Sequence, residues 1–322
     1  MYLLTRILDF AGRRGPTVLF TGVLLGLAAP PLADAARPAM GFAVFVFTLG
    51  AFLKVSRGDL VSPMARPGRM ALLLAWTTFG VPAVAIGLAR VLPLPTDVTQ
   101  GFLICMFAPP VGSAAAIAAM LGMSPALALL ATIVATALAP LYLPALASLA
   151  GGVQLHMDAA DMTLRLALIV GAAAAVAALL RRYAGGFVQR QPHAMTGLAV
   201  TGLLLVALGA MRGMREVVLL QPLQVVGLLL LAFAVNAGFQ VLGTVLFAGW
   251  SRKDAVTVGL VSGNRNITLA WVMAAPALVG HPGVELYIAL SVFPIFMMPA
   301  LSKRLLQWYV GSQSCSDRRA GA

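Results

Sequence analysis

The chain has 322 residues, 61% of them hydrophobic and 10% charged, with a mean hydropathy of +0.95. Soluble globular chains carry about 45–50% apolar and about 25% charged residues, so a soluble enzyme or a sizeable extramembrane domain is excluded and an all-α polytopic membrane protein is expected. The net charge of +12 would suggest nucleic acid on a soluble chain. Here the basic clusters near 12–14 and 181–190 lack the interleaved aromatics of a strand-binding groove, and no nucleic-acid partner is expected.

In chain order, ten apolar spans are predicted, at 15–33, 38–55, 69–91, 99–122, 124–150, 160–180, 194–211, 221–249, 254–279 and 284–308. Each approaches the roughly 20 residues that cross a bilayer. At the N-terminus, Arg13, Arg14, the apolar run 17–29 and Ala33-Asp34-Ala35 imitate a secretory signal. Pro30, Pro31 and the 14-residue lead favour a retained first span instead. Sixteen Lys and Arg fall in segments assigned to one face, five (Arg37, Arg90, Arg165, Arg212, Arg215) to the other, and Arg265 to neither. Positive charge accumulates on the cytoplasmic side, which places both termini inside.

Ten spans divide into two groups of five, residues 1–150 and 151–322. With an odd number per group, the second group enters from the opposite side, giving two inverted five-helix repeats. Proline pairs in the fifth and tenth spans, Pro140 with Pro144 and Pro294 with Pro299, are a faint trace of that repeat.

The fourth and ninth spans are interrupted. The fourth is broken by Pro109, Pro110 and Gly112; the ninth by Gly263 and the run Asn264-Arg265-Asn266. The prolines remove backbone donors and clash with the preceding turn, and the glycines are expected to relax the backbone. Ser113 and Asn264 are expected to cap the half-helices that restart at Ala114 and Ile267. A broken helix survives in hydrocarbon only where it is buried in protein or lines a cavity. Two restarted half-helices, each with free N–H groups and partial positive charge, predict a binding site for an anion. Matched interruptions in two halves are the best sequence pointer to a transporter's substrate site.

Arg265 is the only charged residue deep in a predicted span, and no Asp or Glu accompanies it. An arginine there costs about 2.5–3.5 kcal/mol on insertion scales. It is expected either to bind carbonyls at the ends of the preceding half-helices or to await an anionic substrate. Asn236 and Gln240 share a face of the eighth span, as helix–helix hydrogen bonds or as a lining of the path. Thr77, Thr78, Thr132 and Thr136 are mid-span hydroxyls of the kind that bond their own helix. His156, His193 and His281 lie in loops, and Cys105 and Cys315 are read as unrelated free thiols. No metal site and no cofactor are expected.

These residues resemble the bile acid:sodium symporter family over essentially the whole chain. The carriers of the resemblance are the second span Gly41–Gly50 followed by Asp59 and Pro67, the stretch from Pro109 to Pro140, and Gly263-Asn264-Arg265-Asn266, a form common in bacterial members. The resemblance implies a bacterial inner-membrane carrier in which broken helices 4 and 9 cross. It implies a core of spans 3–5 and 8–10 (about 69–150 and 221–308) moving against a panel of spans 1, 2, 6 and 7 (about 15–55 and 160–211). It also implies alternating access and organic-anion cargo, bile acids or small carboxylates. A monomer is expected.

The departures concern sodium. Family ligand positions hold Ala115, Ala116, Ala128 and Val261 here, Thr77 replaces a glutamine, and Arg265 replaces another. Only Ser113, Thr132 and Asn266 carry over. Sodium binding is therefore left open, with Thr77, Thr132 and Arg265 as the ion site or its replacement, and Arg265 read as standing in for the cation. Substrate contacts are assigned to Gly112, Ser113, Asn236, Asn264, Arg265 and Asn266, and the hinges to Pro109, Pro110, Gly112 and Gly263. An intramembrane enzyme would need a deep nucleophile–base pair, which the spans lack. An auxin-efflux-type or arsenite carrier is the remaining alternative, although Cys105 falls about a turn before the break.

Overall fold

The computed structural model describes residues 2–54, 67–149, 159–274 and 281–320. The first half contains α1 (Tyr2–Arg13), α2 (Gly15–Ala28), α3 (Pro30–Ala36), α4 (Met40–Leu53), α5 (Pro67–Ala75), α6 (Val81–Val91), α7 (Thr96–Phe107), α8 (Ala114–Met120) and α9 (Pro125–Leu149). The second contains α10 (Ala159–Arg190), α11 (Pro192–Ala210), α12 (Met214–Leu220), α13 (Pro222–Leu246), α14 (Arg252–Gly263), α15 (Ile267–Ala274), α16 (Pro282–Leu290) and α17 (Val292–Ala320). The molecule is all-α: the described residues form no strand, only one isolated bridge between Pro110 and Arg265. Seven described helical segments are long and apolar enough to cross a membrane. Asp59, His156 and the end of the ninth predicted span, 275–279, lie outside the described residues.

Prolines and glycines set the local breaks. Pro30 and Pro31 restart the chain after Ala28, so the first span ends earlier than predicted. The 14-residue lead is itself helical, and α1 continues almost directly into α2. Both pack against α11, Gly12 against His193 and Gly197 and Gly26 against Leu208 and Met211, with glycine letting the backbones approach. The predicted tenth span is divided at Ser291. Pro294 offers no N–H to the carbonyl of Leu290 and its ring crowds that turn. The fifth span, by contrast, runs unbroken through Pro140 and Pro144.

Side-chain contacts sort into two ends. At one, Arg181 donates to the Leu53 carbonyl (3.0 Å), Arg252 donates to the Tyr309 carbonyl (3.1 Å), and Arg69 sits over the Trp250 ring. At the other, Arg37 pairs with Glu285 and sits over the Trp271 ring, and Arg212 pairs with Asp34 at 2.9 Å.

The third span holds a turn that the sequence reading did not foresee. Between α5 and α6, residues Trp76–Gly80 form a π-helical turn in which the Val81 N–H bonds the Trp76 carbonyl, five residues back. In that register the Thr77 carbonyl would take its hydrogen bond from residue 82, which is a proline with no N–H. The carbonyl of the buried Thr77 is thereby released in mid-helix, at a π-turn of the kind frequent at functional sites.

Candidate functional site

The two interruptions meet. The Val111 N–H donates to the Asn264 carbonyl (2.9 Å) and the Asn266 N–H donates to the Pro109 carbonyl (2.7 Å), pairing the broken segments antiparallel. Each break thus satisfies backbone groups that the other leaves open, which is what allows extended backbone among packed apolar helices. Residues 108–112 and 263–266 are all buried.

The glycines act through space rather than through backbone freedom. Among the described residues only Gly122 and Gly213 have positive φ, so Gly112 and Gly263 do not relax the chain in the expected sense. A Cβ on Gly263 would lie 2.4 Å from the Asn236 carbonyl oxygen, and one on Gly112 would lie 2.9 Å from the Phe47 ring. Gly263 lets α13 and α14 touch; Gly112 lets α4 press against the first break.

The capping assignments change as well. Asn264 does not cap the restarted half-helix: its N–H bonds the Leu260 carbonyl and closes α14. Asn266 is the cap, with Oδ1 accepting from the Leu269 N–H (3.2 Å) and from the Thr268 hydroxyl. Asn266 sits immediately before Ile267, the geometry that an N-cap requires. Ser113 does occupy the position before α8, but its side chain makes no capping bond and its Oγ has no partner.

Asn236 serves the break and keeps no amide proton for cargo. Its Nδ2 donates to the Gly263 carbonyl (3.0 Å) and to Asn264 Oδ1 (2.9 Å), while its Oδ1 accepts from Gln240 Nε2 (2.6 Å). It therefore braces the helices at the break, and it also lines the cleft that reaches Arg265. Thr77 acts through its carbonyl, since its hydroxyl donates back to Leu73 at 2.9 Å. Thr132 lies beside the first break with its hydroxyl 3.4 Å from the Val111 carbonyl, at the long limit of a hydrogen bond.

Arg265 is fully buried. Its Nη2 donates to the Thr77 carbonyl (2.8 Å) and its Nη1 approaches the Val261 carbonyl (3.4 Å). No ion pair between Arg265 and a carboxylate occurs among the described residues. Its Nε has no partner, and neither do Asn264 Nδ2 and Ser113 Oγ. Buried donors are ordinarily satisfied, so three unpaired polar groups at one crossing point to a missing acceptor. A narrow cleft reaches Arg265, lined also by Met106, Asn236, Tyr287, Ser291 and Ile295.

Cys105 is buried in α7, about one turn before the break, against the Ser291 side chain. The described residues include no group of three or more His, Cys, Asp and Glu placed to hold a metal ion. The polar tail expected around Cys315 is helical in its backbone as far as Ala320. No protein-family model matches the chain, and no curated protein does.

Proposed function

We propose that this chain is a secondary transporter that moves an organic anion across a bacterial inner membrane by alternating access. The observation that carries this reading is a buried, carboxylate-free guanidinium at the meeting point of two broken helices, beside two further unpaired polar groups. A fixed positive charge in a low-dielectric interior attracts an anion far more strongly than it would in water, and guanidinium N–H groups match a carboxylate. The seven long helical segments, the shorter apolar α2 and the two broken pairs α7–α8 and α14–α15 are read together as ten spans. Antiparallel pairing of the breaks is what two inverted repeats would produce at their crossing.

In this reading both termini are cytoplasmic and the chain is a carrier of the bile acid:sodium symporter type. A panel formed around α11 with α1, α2 and α4, which pack together, moves against a core that holds the crossing. The protein is not an enzyme and works as a monomer. The arsenite alternative is weakened because neither break contains a cysteine.

A thermal-shift screen of small carboxylates and sterol acids on the solubilised protein tests the proposal. Ligands at about 100 times their Kd stabilise by about 2.7 kcal/mol, a shift of several degrees. Hits are expected for the wild type and to be lost in Arg265→Gln. If no organic anion shifts the wild type, or if Arg265→Gln responds equally, the reading fails.

A further inference from the structure

The site does not fit the sodium ion that the family resemblance implies. Hard cations are held by several oxygens. Ala115, Ala116, Ala128 and Val261 offer no side-chain oxygen, and the Thr77 hydroxyl donates back to its own helix. Two backbone oxygens do converge from separate spans, Thr77 O and Val261 O. Both face a guanidinium, at 2.8 and 3.4 Å.

We propose that Arg265 is a built-in cation that takes the place of a coupling ion, so that the anion is bound and moved without sodium. The inference rests on the transporter reading for its meaning, but its evidence is separate. Pro82 and the π-turn free one carbonyl of α5–α6, and Arg265 joins that carbonyl to the end of α14. A mobile ion would tie the same two elements together. A second positive charge beside a fully buried, unneutralised one would be repelled, and low dielectric strengthens that repulsion. The guanidinium edge at Nε remains unpaired. A carboxylate docking there would form a charge-assisted hydrogen bond and neutralise the site without any ion from solution.

The test uses the full chain in lipid nanodiscs and reads thermal unfolding. In sodium, potassium or choline chloride at equal ionic strength, the wild-type Tm is expected to agree within about 1 °C, the size of a ΔΔG well below 1 kcal/mol. A saturable, sodium-specific rise overturns the proposal. Arg265→Ala is expected to lose several degrees and to regain at least half of them in guanidinium chloride at about 10 mM, an occupancy effect of a ligand that refills its site. The wild type should be unmoved by the same addition. A folded Arg265→Ala that ignores guanidinium also overturns the proposal; should that variant fail to fold, the wild-type salt comparison decides alone. Neither arm uses an organic anion. A failed anion screen therefore ends the transporter reading without touching this one, and sodium-specific stabilisation does the converse.

Discussion

The two breaks reach the same backbone outcome by opposite chemistry. The first, 108–113, works by removal: Pro109 and Pro110 have no N–H to satisfy, Gly112 has no side chain, and Ser113 makes no capping bond. The second, 263–266, works by supply: Asn266 caps α15, Asn264 accepts from Asn236, and Asn236 with Gln240 braces the end of α14. A break with few exposed donors needs only space. A break that keeps its donors needs side chains brought to it from elsewhere. The two together place an unneutralised arginine and two further unpaired polar groups on the paired breaks, where each break covers the other's backbone.

The comparison can be broken most severely at the contact that brings α13 to the second break. Gly263→Ala would drive a methyl to 2.4 Å from the Asn236 carbonyl oxygen. Overpacking of this kind against backbone is expected to destabilise by about 3 kcal/mol, seen as a Tm loss in detergent. A Tm within error of the wild type would show that the two helices are not in such close contact. Next, Asn236→Leu would leave the buried Gly263 carbonyl without its donor and Asn264 Oδ1 with only the long 3.4 Å bond from Gln240, and is expected to lower stability by about 2 kcal/mol. Gln240→Leu removes the donor to Asn236 Oδ1 and that long bond to Asn264, leaves the Gly263 carbonyl paired, and should lower Tm less. Equal losses in the two variants would mean that Asn236 has no special part in the break.

Smaller effects sharpen the contrast. Asn266→Ala removes a true cap and is expected to cost about 1 kcal/mol, whereas Asn264→Ala should not weaken α15 as a cap loss would. Measured by amide exchange in α15, protection should fall for Asn266→Ala first. Ser113→Ala should leave Tm within about 0.5 kcal/mol equivalents, because it removes no hydrogen bond, and should still weaken anion binding in a thermal-shift titration. Unchanged affinity would remove Ser113 from the site. Pro82→Ala, finally, restores an N–H that can compete with Arg265 for the Thr77 carbonyl. A modest change in anion affinity is expected, with little change in fold.

Much of this protein is legible in its sequence because the membrane imposes a simple rule. A span must be apolar for its whole length, so hydropathy locates the long helices, seven of which stand among the described residues. The interruptions are equally plain, since two adjacent prolines followed by a glycine, and an Asn-Arg-Asn run, are out of place in an apolar span. What the one-dimensional string could not give was which atoms answer which. Asn264 and Asn266 are equally good caps by composition, and only the path of the chain after Gly263 assigned the role to Asn266. Nothing in the sequence marks Pro82 out, yet it frees a carbonyl 188 positions away from the arginine that takes it. Partners so far apart in sequence are chosen by packing, and packing belongs to the folded molecule alone.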